Sequence, residues 1–138
     1  MAVVFHNFSE YSRVLISTLS SQRNTEGHGE KREFNIGPIV QYDSALPRLL
    51  AMSIRSNDPT IPALHRVASY ESLDADMSNL ARSERGVRYV SYFKMLCPQN
   101  SCLEYAGNGI PLQSDYGHLT GVGSVLVATK LLESGALN

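Results

Sequence analysis

Residues 113–123 read QSDYGHLTGVG. The first half is polar, and Gly117 permits a tight turn between Asp115 and His118. Thr120 then stands where a helix N-cap belongs, ahead of the apolar run VLVATKLL at 125–132. Gly135 is a natural stop. The stretch therefore reads as a loop feeding a C-terminal helix, whose stripe Val122, Val125, Leu126, Thr129 and Leu132 is expected to face the core.

Working outward, VRYVSYF (87–93) has the β-branched and aromatic content of a strand. So do AVVF (2–5) and REFNIGPIV (32–40), the latter broken at Gly37-Pro38. Between them lie helical patterns. SEYSRVLISTLSSQR (9–23) carries Tyr11, Val14, Leu15, Thr18 and Leu19 on one stripe, with Ser9 as its cap. SALPRLLAMSIR (44–55) reads as a short helix with Pro47 in its first turn. In residues 68–86 an amphipathic helix is expected, with Tyr70, Leu73, Met77, Leu80 and Ala81 as its apolar face and Gly86 as its end. NTEGHGEK (24–31) and SNDPTIP (56–62) read as loops, and Asn108-Gly109 as a tight turn. Strands alternating with helices predict a three-layer α/β domain with a mainly parallel sheet. Residues 1–138 form a single domain in this reading. Three core strands are few for such a sheet, and a strand at residue 2 has nothing to lead the chain into the core. Both imply that sheet strands belong upstream.

With 138 residues the chain can bury a real core. Its 12 basic and 13 acidic residues leave a formal charge of −1, which argues against a nucleic-acid partner. No apolar run approaches the ~18 residues of a membrane span. Cys97 and Cys102 enclose Pro, Gln, Asn and Ser. A small disulfide loop is the favoured reading, against a zinc site or two reduced thiols; a zinc site needs further ligands at recognisable spacing. A disulfide would place the domain in an oxidising compartment.

His118 and Asp115 are the candidate acid–base pair. A neutral imidazole takes a proton from a hydroxyl nucleophile, provided that a partner on its other nitrogen holds the tautomer. By spacing alone, Asp115 could equally cap its own turn beside a surface histidine. His6 and Asn7 follow the first strand, and His6 reads as a core or pocket histidine. His28 and His65 fall in or beside polar loops and are assigned no chemistry. Ser114 reads as a turn residue.

The block Asp115-Tyr-Gly-His118-Leu119-Thr120, with Gly123 and Ser124 after it, resembles the final block of the SGNH hydrolase superfamily. It is closer still to the SGNH domain fused to bacterial membrane acyltransferases of the acyltransferase-three type, in which a Cys pair also lies upstream. NIGPIVQYDSALPRLL resembles that family's strand ending in Gly-Pro before a Pro-led helix, and VVFHNFSEY its central strand. The resemblance implies a flavodoxin-like α/β/α fold and an acyl-ester hydrolase or O-acyltransferase acting on cell-surface carbohydrate. His118 would be base and then acid, oriented by Asp115, and Asn7, near the superfamily's oxyanion-hole position, would be a candidate oxyanion or pocket residue. No metal or organic cofactor is implied. The partners implied are an acyl-ester or sugar substrate and an acyltransferase membrane domain, in a periplasmic or other extracytoplasmic setting within a larger membrane protein. Two departures stand out. Thr120 replaces the usual Ser, and both can cap a helix. More seriously, no Gly-Asp-Ser nucleophile block occurs anywhere in the sequence. The alternative is a non-catalytic α/β module that binds a glycan or a protein.

Overall fold

A computed structural model describes residues 3–5, 33–83 and 87–136. The expected helix over 9–23 and the residues His6, Asn7, Ser9 and His28 lie outside the described residues, as does Gly86. Three strands form one parallel sheet in the order β1 (Val3–Phe5), β2 (Glu33–Ile36), β3 (Val87–Val90). The register pairs Val3 with Phe34 and Glu33 with Val87. From β2 to β3 the chain passes through α1 (Leu46–Ser56), α2 (Ile61–Leu64) and α3 (Ser69–Ser83). After β3 come α4 (Tyr92–Leu96), a short 3-10 turn at Pro98–Asn100, a hairpin of β4 (Tyr105–Gly107) and β5 (Ile110–Pro111), and α5 (Gly121–Glu133). The core gathers Ile36, Ile39, Val40, Leu46, Leu49, Leu96, Leu112, Val127 and Leu131.

Local signals act where they are expected. Pro47 lies in the first turn of α1, and Asn57 closes that helix in the left-handed region at φ 51°. Asn108 and Gly109, at φ 50° and 71°, make the hairpin turn that needs two positive φ values. Thr120 caps α5 by accepting from Gly123 N.

The structure departs from the sequence expectations in four places. VRYVSYF is a strand only to Val90; Ser91 then caps α4 by accepting from Lys94 N. The loop expected at 56–62 gives way at Ile61 to the single turn of α2. The expected apolar stripe of α3 is only partly its buried face: Ala81 is buried and Tyr70 packs against the core, but Leu73 and Leu80 are exposed, and Asp74 and Ser78 point inward instead. Likewise α5 buries Gly123, Val127 and Leu131, leaving Val122, Val125 and Leu132 exposed.

Both helix rolls have a local cause. In α3 the Asp74 carboxylate, 1% exposed, accepts from Tyr89 Oη and Ser91 Oγ, each at 2.8 Å, locking that face onto β3. In α5 the Gly123 Cα lies directly on the Leu112 carbonyl, an approach that any Cβ would block.

Three tyrosines of this interior resist ionisation. Burial pushes the Tyr92 phenol up to about 12. Burial, followed by Glu104 and opposed by Arg66, brings Tyr42 to about 12. Tyr89 is also raised, by burial first and then by its hydrogen bond to Asp74. The folded-state values lie above the ordinary 10, so the unfolded chain ionises first. Stability should therefore be insensitive to these groups below pH 10 and fall as pH climbs from 10 towards 12. A melting temperature that stays level across that range would contradict the burial of these phenols.

Candidate active site

The loop between β5 and α5 is closed at its base, where Gln113 and Leu119 bridge and Thr120 N donates to Leu112 O at 3.0 Å. Within it, Ser114 N donates to His118 O at 2.7 Å. The Ser114 hydroxyl also donates to that carbonyl, consistent with a turn residue. Asp115 makes both of the contacts its spacing left open. Its Oδ1 accepts from Gly117 N at 3.0 Å and His118 N at 2.9 Å, an Asx turn. Its Oδ2 lies 2.7 Å from His118 Nδ1. Capping the turn is what carries the imidazole to the second oxygen.

The loop is held from outside as well. Gln113 is fully buried and donates through Nε2 to Val40 O at 2.7 Å. Leu46 N donates to Asp115 O at 3.1 Å and Tyr42 N to Tyr116 O at 3.0 Å. Gly117 lies so close to the Gln41 side chain that a Cβ there would be crowded at 3.0 Å. All of these contacts fall on the segment that leaves β2 past Gly37, so the turn sits on the side of the sheet where the strands end. Open α/β sheets place their ligands there.

The electrostatics follow from this geometry. Partial burial would raise the Asp115 carboxyl. The Gly117 and His118 amides and the His118 ring outweigh it, and the net shift is downward. His118 is 59% exposed at its side chain, and among the described residues nothing bonds its Nε2. A carboxylate on Nδ1 with a free, exposed Nε2 is the arrangement a general base requires.

Other residues assemble elsewhere. Cys97 and Cys102 form a disulfide, and Arg66 Nη1 donates to Cys102 Sγ at 3.0 Å and to Asn100 O at 2.8 Å. Two open grooves flank this disulfide loop. One of about 430 Å³ is lined by Glu71, Asp74, Phe93, Lys94 and Gln99; the other, of about 270 Å³, by Tyr42, Thr60, Arg66, Ser101 and Glu104. Neither is lined by Asp115 or His118. Among the described residues no three His, Cys, Asp or Glu side chains converge as metal ligands, and no helix is long and apolar enough to cross a membrane.

Sequence reasoning passed over three polar features. Gln113 anchors the loop from 73 residues away. Asp74 is the buried junction of α3 and β3. Asp43 Oδ1 lies 2.7 Å from His65 Nδ1, a second carboxylate–imidazole pair formed across 22 residues. An Asp–His pair three residues apart is visible in a single window of sequence. One brought together by folding has no such signal.

Comparison with known proteins agrees with the fold. Among curated proteins none matches. A solved structure, the lipopolysaccharide acetyltransferase periplasmic domain of Salmonella ser. Paratyphi A, is similar with a TM-score of 0.66 and 25% identity. The similarity covers 89% of this chain and 49% of that one, so the chain spans about half the length of that domain. The family model of the SGNH domain (fused to AT3 domains) matches residues 14–133. A mixed α/β architecture on a parallel sheet accords with both, and this chain belongs to the family of SGNH domains that are fused to AT3 domains.

Proposed function

We propose that the chain supplies the base and its orienting carboxylate to a serine acyl-transfer site on cell-envelope carbohydrate. The observation that carries this reading is the 2.7 Å contact between Asp115 Oδ2 and His118 Nδ1, which leaves Nε2 open. Family membership supports it. In this reading a serine hydroxyl gives its proton to His118 Nε2 as its oxygen bonds to the acyl carbon. His118 returns that proton to the leaving alkoxide, and the cycle then runs in reverse with a sugar hydroxyl or water as acceptor. Asp115 holds the imidazole in the tautomer with Nδ1–H and stabilises the imidazolium. The serine comes from a Gly-Asp-Ser block that this sequence does not contain. The setting is extracytoplasmic, beside an acyltransferase membrane domain. In this reading Asn7 would be the oxyanion donor that the resemblance implies.

Two measurements test this. The polypeptide alone should show no saturable hydrolysis of p-nitrophenyl acetate that depends on His118. When a family member's Gly-Asp-Ser segment is joined ahead of it, hydrolysis should appear, and His118→Ala should lower it by about a thousandfold or more. Nitrogen-15 spectra of the neutral His118 ring should show the proton on Nδ1, and Asp115→Asn should remove that preference. Saturable His118-dependent turnover by the unextended chain, or a proton resident on Nε2, would overturn the reading.

A further inference from the structure

The groove of about 270 Å³ beside the disulfide loop collects polar groups that the fold leaves unsatisfied. Tyr42 and Arg66 face each other across an antiparallel bridge, held by Asp43 N to His65 O and Val67 N to Gln41 O, each at 2.9 Å. Opposed residues in such a pair share a face, and both line this groove. Tyr42 is 3% exposed, yet its Oη has no hydrogen-bond partner. Glu104 lines the same groove and is part-buried. Burial raises its carboxyl, and Arg66 opposes that rise. Tyr42 feels both charges. Among the described residues, however, no ion pair joins Arg66 to Glu104, and nothing bonds the Glu104 carboxylate. A buried hydroxyl without a partner and a desolvated carboxylate without one are both costly, and here they share one groove.

The guanidinium decides what kind of ligand would relieve them. Arg66 Nε donates to Ala63 O at 3.3 Å, and Nη1 donates to Asn100 O at 2.8 Å and Cys102 Sγ at 3.0 Å. Among the described residues only Nη2 is left open. Gripping a carboxylate or a phosphate takes two parallel N–H groups, and that fork is spent on the protein itself. Nη2 alone suits a single hydroxyl oxygen. Glu104 adds a negative charge that repels an anion and asks for a donor. Two adjacent hydroxyls on a neutral molecule meet both demands, one accepting and the other donating. The Ser101 hydroxyl, Pro59 and Ala63 complete the lining with one more polar group and two apolar walls. The volume lies just under the roughly 300–1,000 Å³ of pockets for drug-sized ligands, which fits a single ring.

We propose that this groove is a binding site for one neutral sugar unit that presents adjacent hydroxyls. One hydroxyl accepts from Arg66 Nη2, its neighbour donates to the Glu104 carboxylate, and C–H groups of the ring lie against Pro59 and Ala63. The site does not depend on the acyl-transfer reading, since neither Asp115 nor His118 lines the groove.

The test uses the full 138-residue chain. Methyl α-glycosides of glucose, mannose, galactose and rhamnose are titrated while the backbone amide signals of Asn100, Ser101 and Glu104 are followed by nitrogen-15 NMR. Cyclohexanol is the control with a single hydroxyl, and glycine and inorganic phosphate are the charged controls. At least one glycoside should shift those signals saturably and leave the His118 signals in place, whereas the three controls should do neither. Glu104→Ala should weaken that binding about tenfold, the scale of one hydrogen bond to a charged group. It removes no bond that the fold uses, so the melting temperature should hold; if it does not, Glu104→Gln replaces it and should weaken binding as well. Glu71→Ala, in the other groove, should bind as the native chain does. The proposal is overturned by silence from every glycoside, by a response at the His118 loop alone, or by glycine or phosphate moving the same signals. Binding that Glu104→Ala leaves unchanged, or that Glu71→Ala weakens equally, overturns it too. The two readings fail separately: Glu104-dependent binding with the proton of His118 on Nε2 sinks only the acyl-transfer reading. The expected His118 tautomer without Glu104-dependent binding sinks only the sugar site.

Discussion

Gly123→Ala should destabilise the protein by about 2–3 kcal/mol, the upper part of the usual cost of forcing an extra methyl into a filled space. At this position the methyl would meet the Leu112 carbonyl oxygen. That oxygen cannot retreat freely, because it accepts from Thr120 N at 3.0 Å and Thr120 Oγ1 at 3.3 Å. The N-terminus of α5 must move instead, taking with it the Thr120 cap and the closed end of the His118 loop. Alanine ordinarily gains up to about 1 kcal/mol over glycine within a helix, so the clash must outweigh a favourable term. Gly121 provides the control: nothing lies within 4 Å of an added Cβ there, so Gly121→Ala should be neutral or mildly stabilising. Urea denaturation of the two variants decides the matter. Equal stabilities would mean that α5 does not rest on Leu112 as described.

Asp74→Ala should cost about 2–4 kcal/mol, because it takes from two part-buried hydroxyls their carboxylate acceptor and leaves a small void. Tyr89 Oη also reaches the Asp74 carbonyl at 3.2 Å and keeps that weaker contact. Ser91 Oγ has no such substitute, and it also accepts from Lys94 N at 2.9 Å to start α4. The damage should therefore spread from α3 through Ser91 to the helix that leads into the disulfide loop. Tyr89→Phe should cost less, since Asp74 retains Ser91. In a double-mutant cycle, Asp74→Ala and Tyr89→Phe should be strongly non-additive. A loss below about 1 kcal/mol for Asp74→Ala would show that the network is not what sets the roll of α3.

Asp115 carries an acid-side counterpart to the tyrosines. Its net-lowered folded value lies below the ordinary 3.8, so its contribution is present above that pH and is lost as pH falls through the folded value.

What the amino-acid sequence determined by itself was whatever closes within a few residues. Thr120 caps α5 through Gly123 N, three positions on, and Asp115 caps its own turn through Gly117 and His118. Asn108-Gly109 makes its turn because those residues tolerate positive φ. The Asp115–His118 contact is of this kind, which is why the candidate base was legible in the sequence. The alternation of strands and helices was equally legible, because it rests on local periodicity. Tertiary structure decided which way each helix faces. Hydrophobicity alone would turn Leu73 and Leu80 of α3, and Val122 and Val125 of α5, inward. A buried carboxylate with two hydroxyl partners on β3 and after it rolled α3 towards Asp74 and Ser78, and a glycine against a carbonyl turned the opposite face of α5 in. Hydrogen bonds and close contacts to a specific partner are directional, whereas burial of apolar area is not, so they set the roll. The same reason hid Gln113 and the Asp43–His65 pair. Their partners lie 73 and 22 residues away, and only the folded chain brings them within reach.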